Sequence, residues 1–87
     1  MPYVKQEVRD YLDPKLEAIT EVAPHLGEGE LNYIITSIVV AWTGKAYDYS
    51  KLNRAHGTFF SAAAEFYRRL VVPYERQKQA EYGDVYL

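Results

Sequence analysis

Apolar side chains recur every three or four positions along most of this chain, and that rhythm predicts helices. The longest run lies between Tyr49 and Tyr82. Leu52, His56, Phe59, Phe60, Ala63, Phe66, Tyr67 and Leu70 fall on one broad helical face there. Ser50 stands just before the run as the expected N-cap, and Gly83 follows its last turn as the expected C′ residue. Pro73 lacks the amide proton a helix interior needs. It is expected to kink this helix or to split it into Ser50–Val71 and Pro73–Tyr82. The rest of the chain is expected to bury itself against this face.

Two weaker periodic stretches precede it. Pro2–Leu12 places Val4, Val8, Tyr11 and Leu12 on one side of a short helix. Asp13-Pro14 then pairs an N-capping acid with proline at a first helical position and predicts a fresh start. In that second segment Leu16, Ile19, Ala23 and Leu26 are the expected buried stripe, and Pro24 is expected to end it by biasing Ala23 away from α geometry. His25–Gly29 reads as a loop, and Glu30 opens the next helix. There Leu31, Ile34, Ile35, Ile38, Val39 and Trp42 follow helical spacing, although the β-branched residues keep a strand as a rival. Length favours the helix, because about twelve residues is long for a strand. Gly44 ends or weakens it, and residues 45–49 lead to the long helix. Gly57 and the run Ala62-Ala63-Ala64 would let a facing backbone approach the long helix closely.

The chain has 87 residues, which predicts one domain over 1–87 with a small core that gains from oligomerisation. A net charge of −2 provides no basic field for nucleic acid, so nucleic acid is not an expected partner. The absence of cysteine removes disulfides, thiolate chemistry and cysteine-ligated metal. The most apolar stretch, Leu31–Trp42, is shorter than the roughly twenty residues that cross a bilayer, and the N-terminus shows no signal-peptide pattern. A cytoplasmic protein with no membrane partner is expected. Nine tyrosines stand against three phenylalanines and one tryptophan. Their amphipathic rings serve equally to thicken a thin core or to form an interface.

Candidate chemistry is sparse. His25 and His56 have no second histidine one turn away, and Glu17 and Glu21 lack the histidine that completes a bundle metal site. Ser37, Ser50 and Ser61 lie outside any nucleophile-elbow pattern, and Gly27 and Gly29 lack the third glycine of a dinucleotide loop. No enzyme, metal or cofactor is expected. The strongest polar cluster is Tyr67, Arg68, Arg69, Tyr74, Arg76 and Lys78, where guanidinium groups and tyrosine rings suit a small anionic ligand of nucleotide type. Glu65, four residues before Arg69, offers the competing reading of an internal ion pair. Lys45, Tyr47, Tyr49, Lys51 and Arg54 form a second patch open to the same two readings.

The stretch Gly29–Thr36, the stretch FYRRLVVPYERQKQAEYGDVY and the opening MPYVKQEVR resemble a family of small uncharacterised proteins encoded mainly by tailed bacteriophages and prophages. The likeness covers nearly the whole chain. Arg76 stands where members often carry an acid after Pro-Tyr-Glu. The resemblance implies a bacterial host cytoplasm and no particular activity.

These readings converge on an all-α protein, a small bundle of about three main helices with the last one long and kinked at Pro73. The expected function is non-enzymatic: a self-associating interaction module, a homo-oligomer or a binder of a host protein. The alternative is a small-ligand binding protein that sequesters a nucleotide-type host signal.

Overall fold

A computed structural model describes residues 3–87. The protein is all-α, with no strand among the described residues. The helices are α1 (Gln6–Val22), α2 (Glu28–Thr43), α3 (Tyr49–Phe66) and α4 (Val72–Tyr82). A 3₁₀ turn, Ala23–His25, follows α1, and a π-helical segment, Tyr67–Val71, joins α3 to α4. The chain divides into two compact units, residues 1–46 and 47–87.

In the first unit, α1 runs through the expected break at Asp13-Pro14, and Pro14 lies inside the helix. One helix therefore replaces the two expected ones, and Asp13 caps nothing. Side-chain pairs secure the turns before the proline: Gln6 Nε2 donates to Asp10 Oδ1 at 2.7 Å, and Arg9 Nη2 donates to Gln6 Oε1 at 2.6 Å. Lys15 Nζ lies 3.8 Å from the Tyr11 ring centroid, a cation–π pair that spans the proline. Pro2, where the first of the two expected helices was to begin, lies outside the described residues. At the other end α1 stops at Val22 and the chain tightens into the 3₁₀ turn, but Ala23 keeps α geometry at φ −53° and ψ −44°, so Pro24 does not drive it away as expected: it occupies an early position of the turn, where its missing N–H costs nothing.

The second helix, α2, opens at Glu28, two residues before the expected Glu30, so Gly29 belongs to its first turn and not to the loop. The reason is one half of a capping box, since Gly27 has no side chain to return a bond. Glu30 sits at the third helical position and its Oε1 accepts from the Gly27 backbone N–H at 2.8 Å. The strand reading of the β-branched run is thereby excluded. At the far end Gly44 adopts φ 76°, a conformation that L side chains rarely take, and its N–H closes on Val40 O at 3.1 Å.

The second unit is one long helical run. Asp48, not Ser50, is its N-cap: Asp48 Oδ1 accepts from Lys51 N–H at 2.9 Å. From Tyr49 to Tyr82 the run is roughly 50 Å long at 1.5 Å per residue. The interruption expected at Pro73 takes the form of the π segment immediately before it. Tyr67 N–H is shared between the carbonyls of Ala63 and Ala64, and Val72 N–H donates five residues back to Tyr67 O. In a regular α-helix the Pro73 ring would press on the Arg69 carbonyl. Widening the turn by one residue relieves that contact while φ and ψ at Val71 and Val72 stay helical. Gly83, at φ 81°, ends the run. Asp84 then orders the tail, with Oδ2 accepting from Gln79 Nε2 and Oδ1 from Tyr86 N–H, each at 2.9 Å.

Burial departs most from expectation. Among the described residues only Ala55 is buried. Leu16 and Ile19, the expected buried stripe of α1, are exposed, while Ala23 and Leu26 are half-buried. On α2, Leu31, Ile35, Ile38 and Trp42 are exposed. On the long helix the whole face from Leu52 to Leu70 is exposed, and within its own unit nothing buries it. A Cβ added at Gly57 would meet nothing within 4 Å, so no backbone makes the close approach expected there.

Candidate functional site

The six residues of the arginine–tyrosine cluster straddle the π segment, and the structure sorts them into four sets, two of them single residues. Arg68 and Arg69 converge, but on Glu65. Arg68 Nη2 donates to Glu65 Oε2, and Arg69 Nε donates to Glu65 Oε1 at 2.9 Å. One carboxylate thus takes both guanidinium groups. Hydrogen bonds from Arg68 and then Arg69, opposed by partial desolvation, hold the Glu65 carboxyl below the usual glutamate range. Both arginine side chains remain more than half exposed.

Tyr74 and Lys78 form the second group. Lys78 Nζ lies 5.6 Å from the Tyr74 ring centroid and 5.9 Å from that of Tyr82, so the ammonium sits between two rings one turn to either side. Lys78 also pairs with Glu81 Oε2 at 3.3 Å. Arg76 is the third element. It is exposed and has no hydrogen bond or ion pair among the described residues. Two residues from Lys78 at about 100° per residue, it points to nearly the opposite side of α4. Tyr67 reaches across the π segment, its hydroxyl 3.4 Å from Glu75 Oε1. These groups line a single helical run, which is convex, and they do not converge on one anion-sized cradle.

Sequence reading missed two features. One is the Asp48 cap, signalled by an acid three residues before Lys51. The other is an open groove along α2, where Gly29, Tyr33, Ser37 and Ala41 follow one another at intervals of four. Its signal was the small residues on the side of α2 away from Leu31 and Ile38. The groove is shallow and belongs to one helix face, with Asn32 and Thr36 joined beside it by a 3.1 Å hydrogen bond. No group of three or more histidine or acidic residues among the described residues could hold a metal ion. No helix among them is long and apolar enough to cross a membrane.

What remains as a candidate surface is the apolar stripe of α3 and the π segment. Leu52, Phe59, Phe66 and Leu70 are 43%, 37%, 59% and 58% exposed, and Phe60 beside them is 72% exposed. The model of a family described as a domain of unknown function (DUF6899) matches residues 1–85. No curated protein matches the chain, and no solved structure does.

Proposed function

We propose that this chain, which belongs to the DUF6899 family, is a non-enzymatic interaction module that self-associates through its apolar helical faces. The observation that carries this reading is the burial pattern: exposed large apolar side chains recur on α1, α2 and the long helix, and Ala55 alone is buried among the described residues. Most of these Leu, Ile, Val and Phe side chains are about half exposed, so each forgoes roughly half of the 1.5–3 kcal/mol that full burial provides. Units of this length lie near the size at which a core is too small without a partner. Contiguous apolar area of this extent marks an interaction surface in a folded protein.

The resemblance to phage and prophage proteins supports a setting in the cytoplasm of a bacterial host. The nucleotide-sequestering alternative draws no support from the cluster's geometry, since Arg68 and Arg69 share Glu65 and Arg76 diverges from Lys78.

Light scattering coupled to size-exclusion chromatography, run from nanomolar to high micromolar concentration, tests the proposal. An oligomer that dissociates on dilution is the expected result. A monomer at every concentration would remove the reading.

A further inference from the structure

On α3, Leu52, His56, Phe59, Ala63 and Phe66 are separated by four, three, four and three residues, and Leu70 follows four later inside the π segment, where the widened turn sets it to one side of the stripe. The alternation on α3 is the spacing of a two-helix seam in which alternate knobs enter the holes of a facing helix. The stripe is exposed along its length. We infer that it is the seat for the same stripe of a second copy, with the two helices antiparallel and a two-fold axis at Ser61. This deepens the self-association reading and rests on it.

Side-chain size chooses the direction. In the antiparallel arrangement each layer joins residues placed symmetrically about Ser61: His56 with Phe66, Phe59 with Ala63 and, to one side of the stripe, Leu52 with Leu70. Every layer then has similar bulk, and the large Phe59 ring faces the small Ala63 of the other copy. A parallel pair would stack Phe59 on Phe59 and Ala63 on Ala63, a bulge followed by a void, and would set the two His56 rings against each other. Packing at interior density penalises voids and overpacking alike. The antiparallel axis also brings Phe60 of one copy next to Phe60 of the other at the flank, an aromatic pair. Gly57 lies on the outer side of this seam, in keeping with the open space around it.

The area suffices for a stable pair. At roughly 200 Å² per aromatic side chain, the exposed parts of Phe59, Phe60, Phe66 and Tyr67, with the two leucines, amount to roughly 600 Å² per copy. Two copies bury roughly 1,200 Å², which reaches the lower end of specific interfaces.

The chain has no cysteine, so single introduced thiols label cleanly. Spin labels at Arg54→Cys, Ser61→Cys and Arg68→Cys all lie on the outer side of the seam. In the antiparallel dimer the Ser61 labels share one axial level, while the Arg54 labels, like the Arg68 labels, are offset along the axis by roughly 21 Å. The expected dipolar distance is therefore shortest at 61 and longer, by similar amounts, at 54 and 68. Equal distances at all three positions would mean a parallel pair and overturn the inference. A size swap gives an independent readout. Phe59→Ala and Ala63→Phe should each weaken dimerisation by roughly a hundredfold or more, and the double variant should recover most of it, because the large–small pairing is restored. If neither single variant weakens a dimer that light scattering shows in the parent, this stripe is not the seat, although self-association stands. A parent chain that is monomeric throughout removes both.

Discussion

Asp48 and Lys51 are joined by a 2.9 Å hydrogen bond from the Lys51 backbone N–H to the Asp48 carboxylate, and this bond starts the long helix. Asp48 has extended backbone geometry, as an N-cap requires. Its loss leaves a helical donor without its partner. Asp48→Ala is expected to cost about 1 kcal/mol in urea denaturation, whereas Ser50→Ala, inside the first turn, should change stability by less than about 0.5 kcal/mol. Equal effects of the two would show that the cap contributes nothing.

Two glycines should respond with opposite signs. Gly57 is in a regular helix with open space at its Cβ position, so Gly57→Ala should stabilise by about 0.5–1 kcal/mol. Gly44 sits at φ 76° and ψ −174°, a region essentially reserved for glycine, so Gly44→Ala should cost about 1–3 kcal/mol. Thermal melts of the two variants beside the parent check both signs. Stabilisation by Gly44→Ala would mean that α2 does not end as described.

Helix content was legible because period alone carries it. The stripes of α2 and α3 keep their spacing for four turns, and no β-branched residue was strong enough to break them. The boundaries were not equally legible. Asp13-Pro14 has the composition of a helix start, yet α1 passes through it, because side-chain pairs such as Gln6–Asp10 favour helix on the near side of the proline. Ser50 and Asp48 are both good caps by type, and only backbone geometry decides between them. Which apolar face would be covered was beyond the sequence, since periodicity shows that a face exists and not what meets it. The same holds for the arginine cluster: Glu65 at three and four residues' distance made ion pairing one of two readings, and the carboxylate takes both arginines.

The Glu65 cluster sets a pH dependence whose sign follows from its lowered carboxyl pKa. A carboxyl that holds its proton less tightly when folded stabilises the fold above the ordinary glutamate value, about 4.3. That contribution disappears as pH falls through the lower folded value. Arg68→Ala removes the largest cause of the shift and should raise the Glu65 midpoint in a side-chain carbon NMR titration. Arg69→Ala should raise it less. An unchanged midpoint in both variants would show that the arginines do not engage Glu65 in solution.

The π segment lies immediately before Pro73, and removing the proline tests whether the ring causes it. The ring at 73 cannot donate, and in regular geometry it would crowd the Arg69 carbonyl. The Val72 amide shifts back to Tyr67 O, and the helix carries one extra residue in that turn. Pro73→Ala removes the crowding and restores a donor, so the segment should relax to α geometry, with Val72 N–H moving to the Arg68 carbonyl. Because the widened turn already relieves most of the clash, the gain should be about 1 kcal/mol, well short of the roughly 3 kcal/mol that separates proline from alanine in a regular helix interior. Relaxation also turns α4 by roughly 100° relative to α3, the rotation contributed by one residue. That turn would part the Tyr67 hydroxyl from Glu75, which now lie 3.4 Å apart across the segment. Through-hydrogen-bond NMR couplings identify the carbonyl partner of Val72 N–H in parent and variant. If the partner is still Tyr67 in Pro73→Ala, the proline is not the cause of the π turn, and the side chains of the Tyr67–Val71 segment must hold it instead.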